Sequence, residues 1–194
     1  MSQSSQQPPL ENPSRRNFLR VGIAGTAILA TVGITTGVVS FNRMSQQPQA
    51  EGFRFLRPND VEFFTALVPV VLGNSLPTNE DTQRIITQVV QRIDDTCSRL
   101  GSPNQKELTQ LFDLVNFAPS RRLATGVKHP WPDASGEDIS DFLARWRHSR
   151  VGLFNAAYRV LTKLVANAYF ALPVSFAASG YPGPLAHMYN ALNP

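Results

Sequence analysis

Residues 85–100 read IITQVVQRIDDTCSRL, and their spacing decides the fold. Ile85, Ile86, Val89, Val90, Ile93, Cys97 and Leu100 recur at intervals of three and four, so they share one stripe of a 3.6-residue helix. Arg84, Gln88, Gln91, Arg92, Asp95 and Arg99 fill the other faces. A half-buried strand needs period-two alternation, and none survives beside this pattern. Thr78 is expected to cap the helix, with Glu80 and Asp81 in a first turn that favours carboxylates, and Gly101 to end it. Cys97 lies on the apolar stripe and reads as a small core residue. It is the chain's one cysteine, which excludes an intrachain disulfide, a CxxCH haem attachment and a cysteine zinc site.

The same period extends in both directions. Pro58 suits a helix first turn, followed by Asn59, Asp60 and Glu62, whose charges favour an N-terminus. Val61, Phe64, Leu67 and Val68 form its apolar side, and Pro69 is expected to kink or end it. Ser102 and Pro103 open a third helix carrying Leu108, Leu111, Phe112 and Val115. Residues 121–126 offer one turn of helix at most, and 127–136 read as a loop containing His129, Pro130, Trp131 and Pro132. Ser135 and Asp138 are spaced as a capping box, ahead of Ile139, Phe142, Leu143 and Trp146. A long helix then runs from about residue 149 to 172, with Val151, Phe154, Ala157, Tyr158, Leu161, Leu164, Val165, Ala168, Tyr169 and Leu172 on its stripe. The expected fold class is all-α. It is a small irregular bundle of about five to six helices over residues 53–194, joined through a polar linker (44–52) to an N-terminal signal or anchor helix within residues 1–43.

That leader is specific. Ser14, Arg15, Arg16, Asn17, Phe18, Leu19 and Arg20 follow the twin-arginine consensus Ser/Thr-Arg-Arg-x-Phe-Leu-Lys, with Arg20 in the lysine place. Residues 21–42 are uncharged but only mildly apolar, with four glycines and four threonines. This suits a signal h-region better than a strong stop-transfer span, although the length also permits an ordinary transmembrane helix. The arginines ahead of it hold the N-terminus in the cytoplasm. No Ala-x-Ala is present; Val38-Val39-Ser40 is the best small-residue cleavage site. Release into the periplasm and retention as an uncleaved inner-membrane anchor both stay open. The net charge of +4 is mostly a leader property: residues 1–43 balance at +3, and the remainder carries 14 basic against 13 acidic side chains. A nucleic-acid partner would need cations clustered on the folded domain, and none is expected.

After Lys163 the chain has no Asp, Glu, Lys or Arg through Pro194, a run of 31 residues containing Tyr169, Phe170, Phe176, Tyr181 and Tyr189. A solvated tail would be polar and charged, so this segment covers either the chain's own core or another protein. Catalytic motifs are missing: there is no HExxH, GxSxG, GxGxxG or phosphate loop. His129, His148 and His187 have no metal-ligand spacing, and His129 and His148 read as surface residues. Asp94-Asp95 and Glu137-Asp138 are neighbours whose carboxylates point about 100° apart on a helix, and read as solvated faces and helix starts. Arg145, Arg147 and Arg150 beside Trp146 offer a grip for an anion, with a solvated helix junction as the plainer reading.

In the leader, Phe55-Leu56 to Asp60, Ala66-Leu67-Val68-Pro69 with Leu76-Pro77, Phe142-Leu143-x-x-Trp146, Tyr169-Phe170-Ala171-Leu172-Pro173 and Gly180-Tyr181-Pro182-Gly183-Pro184, the chain resembles the small subunit of membrane-associated flavin-dependent (GMC-type) dehydrogenases, the gluconate 2-dehydrogenase subunit 3-like family. The resemblance covers nearly the whole chain. It implies a non-catalytic partner with no cofactor of its own. The large subunit carries the FAD and oxidises a sugar, sugar acid or alcohol; a cytochrome subunit, where present, takes the electrons. The small subunit escorts the large one through the twin-arginine translocase and stays bound to it. On that reading Tyr169, Phe170, Phe176, Tyr181 and Pro182 are expected at the contact, since aromatic anchors dominate interfaces. Two rivals are a stand-alone periplasmic or membrane-anchored helical scaffold, and an enzyme using His129 or His148 as a base.

Overall fold

Helix-period stripes and turn residues produce helices throughout the residues that the structure, a computed structural model, describes: 46–180, with the side chains of 177–179 excepted, and Pro182. They contain α1 (Pro58–Leu72), α2 (Thr82–Ser98), α3 (Ser102–Asn116), α4 (Ala118–Ala124), α5 (Gly136–Arg147), α6 (Gly152–Phe170) and α7 (Val174–Ser179). Short 3₁₀ turns occupy Gly73–Ser75 and Trp131–Asp133. No strand occurs among the described residues, so the class is all-α. The expected signal or anchor helix, including Ser14, Arg15, Arg16, Phe18, Leu19 and Arg20, lies outside the described residues, as do Tyr181, His187 and Tyr189.

Helix α1 is the hub. It touches α2, α3, α5, α6 and both 3₁₀ turns. Its sequence explains this, because after Glu62 it has no charged residue, and a helix apolar on most sides must be surrounded. Phe63, Phe64, Leu67 and Val68 are fully buried, together with Ile85, Val89, Ile93 and Cys97 of α2 and Phe112 and Val115 of α3. From α5 and α6, Phe142, Trp146, Leu161 and Val165 close the core. An unbroken series of ring contacts runs from Phe112 through Phe64, Phe63, Trp131, Phe142 and Trp146 to Phe154, with centroids 4.7–6.0 Å apart.

Several expectations need correction. The described helices number seven rather than about five to six. The additional ones are short: residues 118–124 form a true helix, and a last helix follows Pro173. Pro69 does not end α1, which continues to Leu72. Losing one backbone donor is offset there by the burial of Leu67, Val68 and Leu72 around it. Helix α2 begins at Thr82, one turn later than Thr78 suggests. The Asn79 side chain accepts the Asp81 N–H, and the Thr82 hydroxyl donates to the Pro77 and Asn79 carbonyls, so Glu80 and Asp81 are held in a turn before the helix. Residues 127–136 are not a plain loop: Trp131 is buried and its indole N–H donates to the Val115 carbonyl at 3.1 Å. Val151, placed on the α6 stripe by spacing, is half exposed just ahead of the helix.

Candidate functional site

The uncharged C-terminal segment starts inside α6, and its described side chains divide between the interior and solvent. Tyr169 is 1% exposed, and its hydroxyl donates to the Ser75 carbonyl beyond the end of α1. Its neighbour Phe170 is 52% exposed. Adjacent helical positions point about 100° apart, so one of two consecutive aromatics faces the core and the other faces out. Tyr169, expected at or near a partner contact, is therefore packed into the chain's own core. Leu172 and Ser175 are also buried, and the Ser175 hydroxyl donates to the Leu172 carbonyl at 2.8 Å. Pro173, Val174 and Pro182 are exposed and Phe176 is half-buried. Of the two covers left open for this segment, the chain's own core takes Tyr169, Leu172 and Ser175. Phe170 and Val174 remain as outward apolar surface on an uncharged stretch.

Two shallow grooves flank α1. One, about 500 Å³, is walled by Val61, Ala66, Pro69, Trp131 and Ile139. The other, about 510 Å³, lies between α1, α5 and α6 and is lined by Val71, Leu143, Tyr158, Arg147, His148 and Lys163.

Buried charge was the part that sequence reasoning missed. Asp94 is not a solvated residue: it is 4% exposed, and its carboxylate accepts the backbone N–H groups of Arg54, Phe55 and Leu56, each at 2.8 Å. Arg57 and Asp60 are buried together. Asp60 accepts the Arg57 N–H and Nε at 2.9 and 2.8 Å, Nη2 at 3.1 Å, and the Asn116 amide at 2.7 Å. Arg57 Nη1 also reaches Asp113 at 2.6 Å. Burial pulls the Arg57 guanidinium toward neutrality, but its bonds to Asp60 and then Asp113 outweigh this and raise its pKa. The Arg57–Asp60 spacing of three was the available signal. Asp113 and Asn116 lie on a distant helix and gave none.

Among groups with chemical potential, Cys97 is fully buried and its thiol is pushed up to about 12, by burial first and then by Asp94 and Asp60. His129 and His148 are exposed. Ser135 and Asp138 form the expected capping box at the start of α5. The Ser135 hydroxyl, and then its N–H, hold the Asp138 carboxyl below the usual range. Of the arginines beside Trp146, Arg145 donates to the Thr125 carbonyl at 3.1 Å. Arg147 and Arg150 are exposed. Among the described residues, no group of three or more His, Cys, Asp or Glu side chains is placed to hold a metal ion, and no helix is long and apolar enough to cross a membrane. No family model, curated protein or solved structure matches this chain.

Proposed function

We propose that this chain is a non-catalytic accessory subunit. It escorts a flavin-dependent dehydrogenase through the twin-arginine pathway and stays bound to it on the periplasmic side. The FAD and the oxidation of a sugar, sugar acid or alcohol belong to the large subunit, with a cytochrome subunit as a further partner where one is present. Residues 21–42 supply the h-region and, if uncleaved, an inner-membrane anchor.

One observation carries this reading: the motif at residues 14–20 stands ahead of a helical domain whose final 31 residues bear no formal charge and whose Phe170 and Val174 face outward. The twin-arginine route carries folded cargo, so a flavoprotein loaded in the cytoplasm can cross while bound to a partner bearing the signal. The resemblance to the dehydrogenase small subunits points the same way. Phe170, Val174, Phe176 and Pro182 are the docking residues on this reading, with Tyr181 beside them in sequence.

The test is purification of the native chain from membranes, followed by an absorption spectrum for flavin and haem. Flavin should co-purify with the wild type and be lost from the Phe170→Asp/Val174→Asp variant while its helical circular dichroism is unchanged. A chain that purifies alone and colourless overturns the proposal. That result would favour the stand-alone scaffold, which the inward packing of Tyr169, Leu172 and Ser175 supports.

A further inference from the structure

Two of the described arginines are buried, and among the described residues only one of them has a carboxylate partner. Arg57 is clamped by the carboxylates of Asp60 and Asp113. Arg121, on α4, is 7% exposed, yet no described carboxylate forms an ion pair with it. Its Nε is sealed from solvent without a hydrogen-bond partner. The guanidinium carbon stands 5.9 Å from the Trp131 ring centroid, near the outer limit of a cation–π contact. Burial, and then the charge of Arg122, both disfavour its protonated form.

The surroundings add more positive charge. The Arg122 Nε donates to the Lys128 backbone carbonyl at 3.4 Å, which brings the Lys128 backbone to the Arg122 side chain just beyond α4. Arg145 packs against Gly126 and donates to the Thr125 carbonyl at 3.1 Å. The charges of His129 and Lys128 act on the Asp138 carboxylate, which is tied to Ser135. A desolvated, unpaired guanidinium is costly. The Trp131 face and the negative end of the helix dipole offset only part of that cost. A planar guanidinium with flanking cations matches two oxygens of one anion.

We propose that Arg121, joined by the cationic residues Arg122 and Lys128, forms a binding site for an oxyanion, a phosphate or carboxylate group supplied from outside the described domain.

The full-length chain is melted in sodium phosphate, in sodium acetate and in sodium chloride of equal ionic strength. Phosphate at about ten times its dissociation constant should raise the wild-type Tm by about 4 °C beyond chloride. Acetate giving the same increment identifies a carboxylate site, and a response to phosphate alone identifies a phosphate site. Arg121→Met should abolish the increment and, in chloride, melt no lower than the wild type. The double variant Arg122→Gln/Lys128→Gln changes only exposed side chains and gives a second reading if Arg121→Met does not fold. It should need severalfold more phosphate for the half-maximal shift. The site is disproved if neither anion exceeds chloride, if Arg121→Met keeps the increment, or if the double variant responds as the wild type does.

Discussion

The Leu56 N–H and the Asp94 Oδ1 meet at 2.8 Å, 38 residues apart in sequence. With the Phe55 and Arg54 amides also on that carboxylate, the lead-in to α1 is pinned onto α2 by three charge-assisted bonds. This single side chain fixes where α1 begins relative to α2.

Asp94→Asn should destabilise the domain by about 2–4 kcal/mol, because an amide nitrogen would face a backbone donor in a buried site. Urea unfolding followed by circular dichroism measures this. A midpoint within error of the wild type would show that the three bonds are dispensable.

Gly126 has φ +78°, and a Cβ there would lie 2.1 Å from Arg145 Nη1. Gly126→Ala therefore combines left-handed backbone strain with displacement of Arg145, together about 2 kcal/mol. In an Arg145→Ala background the same change should cost only the backbone part, about 1 kcal/mol. Equal costs in the two backgrounds would mean that the guanidinium gives way freely.

Cys97 should be inert in the native chain. With its thiol at about 12, the thiolate at pH 8 is about one molecule in ten thousand. Iodoacetamide should label it only after unfolding. The sign of the linkage follows from a raised pKa: the stabilisation is complete below the ordinary thiol value, near 8.5, and falls as pH rises toward the folded value. Rapid labelling under native conditions would contradict the burial.

Asp138 has a depressed pKa, held first by the Ser135 hydroxyl and then by its N–H. Its contribution is present above the ordinary aspartate value, near 3.9, and is lost as pH falls through the lower folded value. The stability gap between wild type and Ser135→Ala should therefore narrow below about pH 4 without closing, since the Ser135 hydroxyl still accepts the Asp138 N–H. A gap independent of pH would show that the carboxylate is not engaged.

Periodicity is a property of the chain alone, and it located the interiors of the long elements but not their ends: the stripes of α2 and α5, most of that of α6, the Ser135 cap and the core position of Cys97 were legible from spacing, whereas the start of α2 and the exposure of Val151 were not. Short elements were not, because α4 and α7 are held by neighbours rather than by their own propensity. The buried fates of Asp94, Arg57 and Arg121 were equally hidden. Whether a charged residue faces water depends on which donors or acceptors other segments bring to it: the amides on Asp94 come from the lead-in to α1, and Arg57 pairs with Asp113 of α3 as well as with the nearby Asp60. Tyr169 and Phe170 give the same lesson at one helix end: the sequence offers two adjacent aromatics, and only the packing of α6 against the end of α1 decides which one turns inward.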